Sequence, residues 1–188
     1  MYISEAIRRN CGDHPGKGVV GHEREQWYDV AKLRVASGTL DIVDVCAFDF
    51  VRVEVPIGTY FLEARLIDFG GCLRISRLRA RAEGAVVTLG PECGRVAVDL
   101  ASVAVADFQD VRNGLTTAEC EELDRLIARF SVVVCDVCEL RFESKDVHFV
   151  VCQSGLGDGR YPVFALNSGG KSAGLEVEFI RDGYTLRG

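Results

Sequence analysis

The sequence has no long hydrophobic run, and none of its apolar stretches approaches the roughly 18–20 residues that a membrane-spanning helix needs. Charged residues at positions 5, 8 and 9 also interrupt the first apolar residues before the h-region of a secretory signal can form. We therefore expect a cytosolic protein without a membrane partner.

Positive charge is in the minority. The 188 residues include 22 basic and 28 acidic side chains, which give a formal net charge of −6. Nucleic acids and anionic lipids attract proteins through clustered positive charge. The composition therefore predicts no nucleic-acid partner.

Cysteine is plentiful, with eight residues, but a chain of this length does not need disulfides or a metal to hold its core. Cys135 and Cys138 have a C-x-x-C spacing that can hold zinc, and Cys11 with His14 or His22 would have to complete the site. Apolar residues flank the pair as in a strand, which favours buried free thiols. We expect no metal and no cofactor.

From residue 29 onward apolar residues recur with period two, which predicts strands with one buried face. Residues 30–35 and 40–45 flank a Ser37-Gly38 turn and are predicted to form a hairpin. A long strand at 60–69 is predicted to return as 73–81. Six further predicted strands follow the same pattern: 86–89, 96–105, 132–142, 147–152, 161–166 and 175–180.

One segment has helical periodicity instead. Thr116 and Glu119 form a capping-box pattern, and apolar residues at 123, 126, 127 and 130 follow on one face. The predicted fold class is therefore mainly β: an antiparallel β-sandwich or barrel-like sheet with one amphipathic helix at about residues 116–130. We expect a single domain over residues 1–188, with an irregular segment at 1–28 and a β-rich core at 29–182.

Residues 165–172 nearly match the phosphate-binding P-loop. The first glycine is replaced by Ala165, and residues 175–179 alternate like a strand, so no helix N-terminus follows to receive a phosphate. We interpret residues 167–174 as a hairpin turn.

Arginines at positions 74, 77, 79 and 81 form a row in one predicted strand, and those at 77, 79 and 81 share one face. As a positive stripe, Arg77, Arg79 and Arg81 are candidates for binding a carboxylate or phosphate. The alternative, which a net charge of −6 favours, is that acidic residues on adjacent strands pair with them.

A glycine-rich loop near the C-terminus, at residues 154–161, is the most specific feature. Three glycines in five positions indicate positive φ angles or close backbone approaches, and such a loop can present Asp158 and backbone amides to a ligand. The candidate ligand-binding residues of this loop are Ser154, Gly155, Gly157, Asp158, Gly159 and Tyr161.

Residues 154–163, together with 55–60 and 96–107, resemble the uncharacterised bacterial domain-of-unknown-function family 4241. The resemblance covers about residues 27–180, and departs from the family at Leu156 and over residues 100–106. It implies a single β-rich domain and a functional role for Asp99, Asp107 and Asp158, which adds Asp99 and Asp107 to the candidate ligand-binding residues. It implies no reaction.

Two functions of different class follow. The first is a binding or protein-interaction module, a monomer or homodimer, that presents the Asp158 loop to an unknown protein or small-molecule ligand. The alternative is a metal-assisted hydrolase with Asp99, Asp107 and Asp158 as oxygen ligands and His148 or His22 as proton carrier. The second requires the three aspartates to converge.

Overall fold

The computed structural model describes residues 20–23, 26–44, 49–69, 72–99, 101–107, 116–119, 121, 125, 137–142 and 147–181. These residues form twelve β-strands. In chain order they are β1 (Val20–Glu23), β2 (Tyr28–Val35), β3 (Thr39–Asp44), β4 (Phe50–Glu54), β5 (Gly58–Phe69), β6 (Cys72–Ala82), β7 (Thr88–Val98), β8 (Ser102–Ala106), β9 (Val137–Phe142), β10 (Val147–Gln153), β11 (Gly159–Ser168) and β12 (Lys171–Glu178).

The strands form two antiparallel sheets. In the first sheet β1 and β2 both pair with β5, and the order continues β6, β12, β11, β7. The second sheet has the order β4, β3, β8, β10, β9. Because the two sheets stay separate and face each other across one apolar core, the sandwich form of the predicted fold class is confirmed.

The core follows from the alternation of side chains along each strand. In β5, Tyr60, Leu62 and Ala64 are fully buried in the core, whereas Glu63 between them points to the outer face of the sheet. The second sheet contributes Leu40, Ile42 and Val105 to the same cluster. Each buried Leu, Ile or Val side chain stabilises the fold by about 1.5–3 kcal/mol.

The predicted hairpin between residues 30–35 and 40–45 is wrong, although both strands exist. β2 pairs with β5 in the first sheet, and β3 pairs with β4 and β8 in the second. The turn between them connects the two sheets. The Asp107 carboxylate holds this turn by accepting hydrogen bonds from the backbone N–H groups of Ala36 (2.8 Å) and Ser37 (2.7 Å). Alternation predicts which side chains are buried, but it does not predict which strand lies alongside.

Three other boundaries differ from the prediction. The expected strand at 96–105 is divided between β7 and β8 by a turn in which Ala101 has a φ of +54°. The strand expected at 86–89 is the start of β7, at Thr88. Within the segment predicted to be irregular, residues 20–23 form β1, which is short and contains a glycine and therefore shows no period-two signal.

The turn between β11 and β12 agrees with the hairpin interpretation of residues 167–174. Ser168 pairs with Lys171, and the two residues between them, Gly169 and Gly170, have φ angles of +57° and +79°. Positive φ at both central positions defines a type I′ turn, which joins two antiparallel strands.

The capping box at the start of the helix is confirmed. The Thr116 N–H donates to the Glu119 carboxylate at 2.6 Å, and the Glu119 N–H donates back to the Thr116 hydroxyl at 3.3 Å. Residues 117–119, 121 and 125 are helical, and the rest of the predicted helix lies outside the described residues. Within the described part of the chain, no helix is long and apolar enough to cross a membrane.

Candidate functional site

Two tyrosines anchor the turns within residues 55–60 and 154–163. The Tyr161 hydroxyl donates to the Gly157 carbonyl, and the Tyr60 hydroxyl donates to the Pro56 carbonyl, both at 2.7 Å. In each case the tyrosine follows the turn by four residues and closes it from the core side, as the tyrosine corner does in other β-sandwiches. Tyr161 therefore holds the glycine-rich loop in place.

The glycine-rich loop is bound to the turn between β7 and β8 through Ala101. The Ser154 N–H donates to the Ala101 carbonyl at 2.9 Å, and the Ala101 N–H donates to Asp158 Oδ1 at 2.9 Å. Inside the loop, the Ser154 hydroxyl donates to the Gly157 carbonyl. These bonds fix the loop against Ala101, and we name this region, which comprises residues 153–159 with Arg74, Asp99 and Ala101, the Asp158 end.

At Gly155 the loop lies close to the backbone of β6 in the first sheet. Gly155 has a φ of +54°, and a Cβ atom there would lie 2.1 Å from the Ile75 carbonyl oxygen in β6. Only glycine fits that approach without a backbone shift. This glycine is therefore required by the fold itself.

A partly open cleft of about 220 Å³ lies at the Asp158 end. Its lining residues are Arg74, Ala101, Gln153, Gly155, Leu156 and Gly157. No carboxylate of the described residues lies within ion-pair distance of the Arg74 guanidinium. A positively charged side chain thus faces a cleft without a neutralising partner in the described chain.

The other three arginines of β6 are paired with glutamates. Glu63, on β5, accepts hydrogen bonds from Arg79 (2.7 Å) and from Arg81 (2.8 Å). Burial raises the pKa of Glu63, but the hydrogen bonds and charges of the two arginines outweigh it and hold the pKa below its ordinary value.

Arg77 lies at the centre of a second group on the same face. Its guanidinium donates to Glu176 at 2.9 Å and to Glu178, and it lies 3.3 Å from Glu23. Burial lowers the Arg77 pKa, but these carboxylates raise it by more, so the charge is retained. Arg77, Arg79 and Arg81 share one face as predicted, and an added anion would have to compete there with built-in carboxylates.

The three aspartates of the hydrolase hypothesis do not form one site. Asp158 and Asp99 both lie at the Asp158 end, where the carboxylate of Asp158 is bound to the Ala101 N–H. Asp107 follows the opposite end of β8, roughly 20 Å from Ala101 at 3.3 Å per residue, and binds the turn at Ser37. Among the residues that the structure describes, no three His, Cys, Asp or Glu side chains are grouped to hold a metal.

Other predicted chemical groups lie partly outside the described residues. Cys11, His14 and Cys135 are not described, so the predicted C-x-x-C interpretation is not tested. Cys138 lies in β9 opposite Val151, and His148 lies in β10 opposite Arg141. Cys93 is a free thiol.

The sequence places Arg74 in the arginine row but assigns it no binding role, and it does not single out Gln153. Arg74 precedes Arg77 by three positions, a spacing that would place the two side chains on opposite faces of a regular strand, but the register of β5 and β6 shifts between them and returns Arg74 to the same face. Its cross-strand neighbour on β5 is Ile67 rather than a glutamate, and the sequence carried no local signal for this placement.

A comparison of the chain with protein-family models, curated proteins and solved structures finds no match. The likeness to family 4241 therefore stays a prediction from the quoted sequence segments.

Proposed function

We propose that the protein is a binding module and that its partner contacts the Asp158 end. The observation that carries this proposal is the cleft, in which an unneutralised arginine lies beside a loop that hydrogen bonds and a tyrosine hold in a fixed shape. Recognition sites are commonly formed by loops that a rigid scaffold positions. A fixed loop also lowers the entropy lost on binding.

A metal-assisted hydrolase is the weaker candidate. It needs several carboxylate oxygens around one cation, about 2.0–2.6 Å from it. In the described chain Asp107 is at the far end of β8 and is already bonded to Ala36 and Ser37. We therefore retain the binding module alone. A cytosolic location belongs to the same proposal, and the free thiol of Cys93 supports it.

Site-specific photo-crosslinking tests which end of the sandwich meets a partner. A photoreactive amino acid is placed at Arg160, which is exposed beside the loop, and in a matched protein at Ile57, which is 71% exposed. Ile57 lies at the opposite end, where Tyr60 pairs with Ala82. We expect a discrete crosslinked product from position 160 in cell extract and none from position 57.

Equal crosslinking from both positions, or products from position 57 alone, would contradict the proposal. The circular dichroism spectrum of both proteins must match the wild-type spectrum, so that a misfolded surface is not mistaken for a binding surface.

A further inference from the structure

Three of the residues that line the cleft at the Asp158 end carry hydrogen-bond donors. The Arg74 guanidinium and the Gln153 side-chain amide have no partner among the described residues, and the Gly155 N–H donates to no acceptor there. None of the described residues that line the cleft has a carboxylate. Donors that the chain leaves unmatched are satisfied by water or by the acceptor oxygens of a ligand.

The chemistry of these donors favours an oxyanion. A guanidinium presents two parallel N–H groups that match the two oxygens of a carboxylate, and such charge-assisted bonds are stronger than neutral ones. Arg74 differs in this respect from Arg77, Arg79 and Arg81, whose N–H groups are already bonded to glutamates of the same sheet. The four arginines of β6 thus divide into three that stabilise the sheet and one that is available.

The size of the cleft limits what enters it. Sites for small organic ligands have volumes of roughly 300–1,000 Å³, and this cleft has about 220 Å³. It therefore accommodates one side chain or one chain end rather than a whole metabolite. Leu156, which packs against the hydrophobic core, supplies an apolar wall for the methylene groups of such a side chain.

The wall of the cleft is also held in a strained conformation. Ala101 is the only non-glycine residue in the described chain with a positive φ, at +54°. The left-handed conformation is unfavourable for a non-glycine residue because its Cβ approaches the following carbonyl oxygen. Such strain is maintained where the surroundings fix it and is concentrated at ligand sites; here Asp158 and Ser154 fix it from both sides.

We propose that this cleft binds a single carboxylate group of a partner polypeptide. The Arg74 guanidinium would donate two parallel hydrogen bonds to the carboxylate, and the Gln153 amide and the Gly155 N–H would donate from either side. The group is a glutamate or aspartate side chain or a C-terminal carboxylate. The proposal rests on the proposed function, because it identifies what the Asp158 end recognises.

The test is a ¹⁵N NMR titration of the full chain with a blocked tripeptide, acetyl-Gly-Glu-Gly-amide. Its glutamine analogue is the uncharged control, and inorganic phosphate is the alternative anion. We expect the glutamate peptide to cause saturable shifts at Gln153, Gly155, Gly157 and the Arg74 side chain, and the glutamine peptide to cause none. For one charge-assisted contact the dissociation constant should be on the order of millimolar.

Variants distinguish the contribution of the paired N–H groups of Arg74 from that of its charge. Arg74→Gln should abolish the shifts, Arg74→Lys should weaken binding by about tenfold, and Arg95→Gln should leave it unchanged, because Arg95 is exposed and pairs with Glu92. Arg74 has no described partner to lose, so its variants should keep the wild-type melting temperature.

Three results would overturn the carboxylate site: no saturable shift, equal shifts with the glutamine peptide, or shifts with phosphate alone. If these appear while position 160 still crosslinks a partner, the carboxylate site fails and the binding end stands. If position 160 gives no crosslink although the glutamate peptide binds through Arg74, the proposed binding end fails instead.

Discussion

The carboxylate of Asp158 accepts a 2.9 Å hydrogen bond from the backbone N–H of Ala101, the residue with the left-handed backbone between β7 and β8. The bond joins the glycine-rich loop to the turn that divides the two strands, and the two segments form one wall of the Arg74 cleft. Asp158 therefore shapes the site through Ala101, whether or not it also contacts a partner.

Replacing Asp158 should lower stability modestly. A hydrogen bond to a charged group contributes about 1.5–3 kcal/mol, and because Asp158 is exposed, we expect Asp158→Ala to cost about 1–2 kcal/mol. Asp158→Asn, which keeps an acceptor oxygen, should cost less. Urea denaturation measures both. Asp99→Ala is the control and should change stability by less than about 0.5 kcal/mol, because Asp99 is exposed and, among the described residues, its side chain has no hydrogen-bond partner. Equal losses for Asp158→Ala and Asp99→Ala would contradict the assigned bond.

Gly155 and Gly84 offer a matched comparison of strain and steric contact. Both have positive φ, but a Cβ at Gly84 meets nothing within 4 Å, whereas a Cβ at Gly155 would lie 2.1 Å from the Ile75 carbonyl oxygen. Gly84→Ala should cost about 1 kcal/mol from the backbone alone. Gly155→Ala should cost about 3 kcal/mol or more. Equal free energies of unfolding for the two variants would show that the loop does not approach β6 this closely.

The Glu63 cluster predicts a specific acid sensitivity. Because its pKa in the folded protein lies below the ordinary value of 4.5, ionised Glu63 stabilises the fold at higher pH, and this contribution is lost as pH falls below about 4.5 through the folded-state pKa. Glu63→Gln should be less stable by about 2 kcal/mol at pH 7, and the difference should shrink below pH 4.5. Urea midpoints between pH 3 and 7 measure this.

Glu83→Gln is the control for this series. Glu83 is exposed and its ion pair with Lys32 is 3.7 Å long, so its loss should cost less than about 0.5 kcal/mol at every pH. A difference between Glu63→Gln and wild type that stays constant from pH 3 to 7 would contradict the lowered pKa.

The Tyr60 hydroxyl should ionise at a higher pH than that of an exposed tyrosine. Burial raises its pKa to about 12 from the ordinary value of 10. The folded state therefore keeps the proton that the unfolded state releases, and the contribution of Tyr60 to stability is fully present below pH 10 and lost as pH rises toward 12. Ultraviolet titration at alkaline pH should show one tyrosine of the wild-type protein that ionises near pH 12, and this transition should be absent from Tyr60→Phe. An unchanged titration curve for Tyr60→Phe would contradict this assignment.

The sequence alone predicts the fold class and most strands because burial leaves a period-two pattern that needs no knowledge of neighbours. It predicts the turn at Gly169 and Gly170 and the capping box at Thr116 for the same reason, since both depend on residues close in the chain. The pairing of β2 with β5, rather than with β3, depends on contacts between distant segments and leaves no local signal.

The candidate site was predicted in part for the same physical reason. Glycines at 155 and 157 marked the loop locally, but its contact with Ala101 joins segments far apart in the chain. Whether an arginine is neutralised depends on the neighbouring strands: Glu63 on β5 and Glu176 on β12 face Arg79 in register, and Arg74 faces Ile67. Only the folded sheet separates Arg74 from the other three.

Comparative capture tests the central claim, binding at the Asp158 end, most directly. Tagged wild-type protein, Arg74→Glu and Ile57→Glu are incubated with the same extract, and bound proteins are quantified by mass spectrometry. Arg74→Glu reverses the charge in the cleft, and Ile57→Glu adds the same carboxylate at the opposite end. We predict a partner that wild type and Ile57→Glu enrich equally and that Arg74→Glu enriches at least about tenfold less. Equal enrichment by all three proteins, or a loss confined to Ile57→Glu, would contradict binding at the Asp158 end.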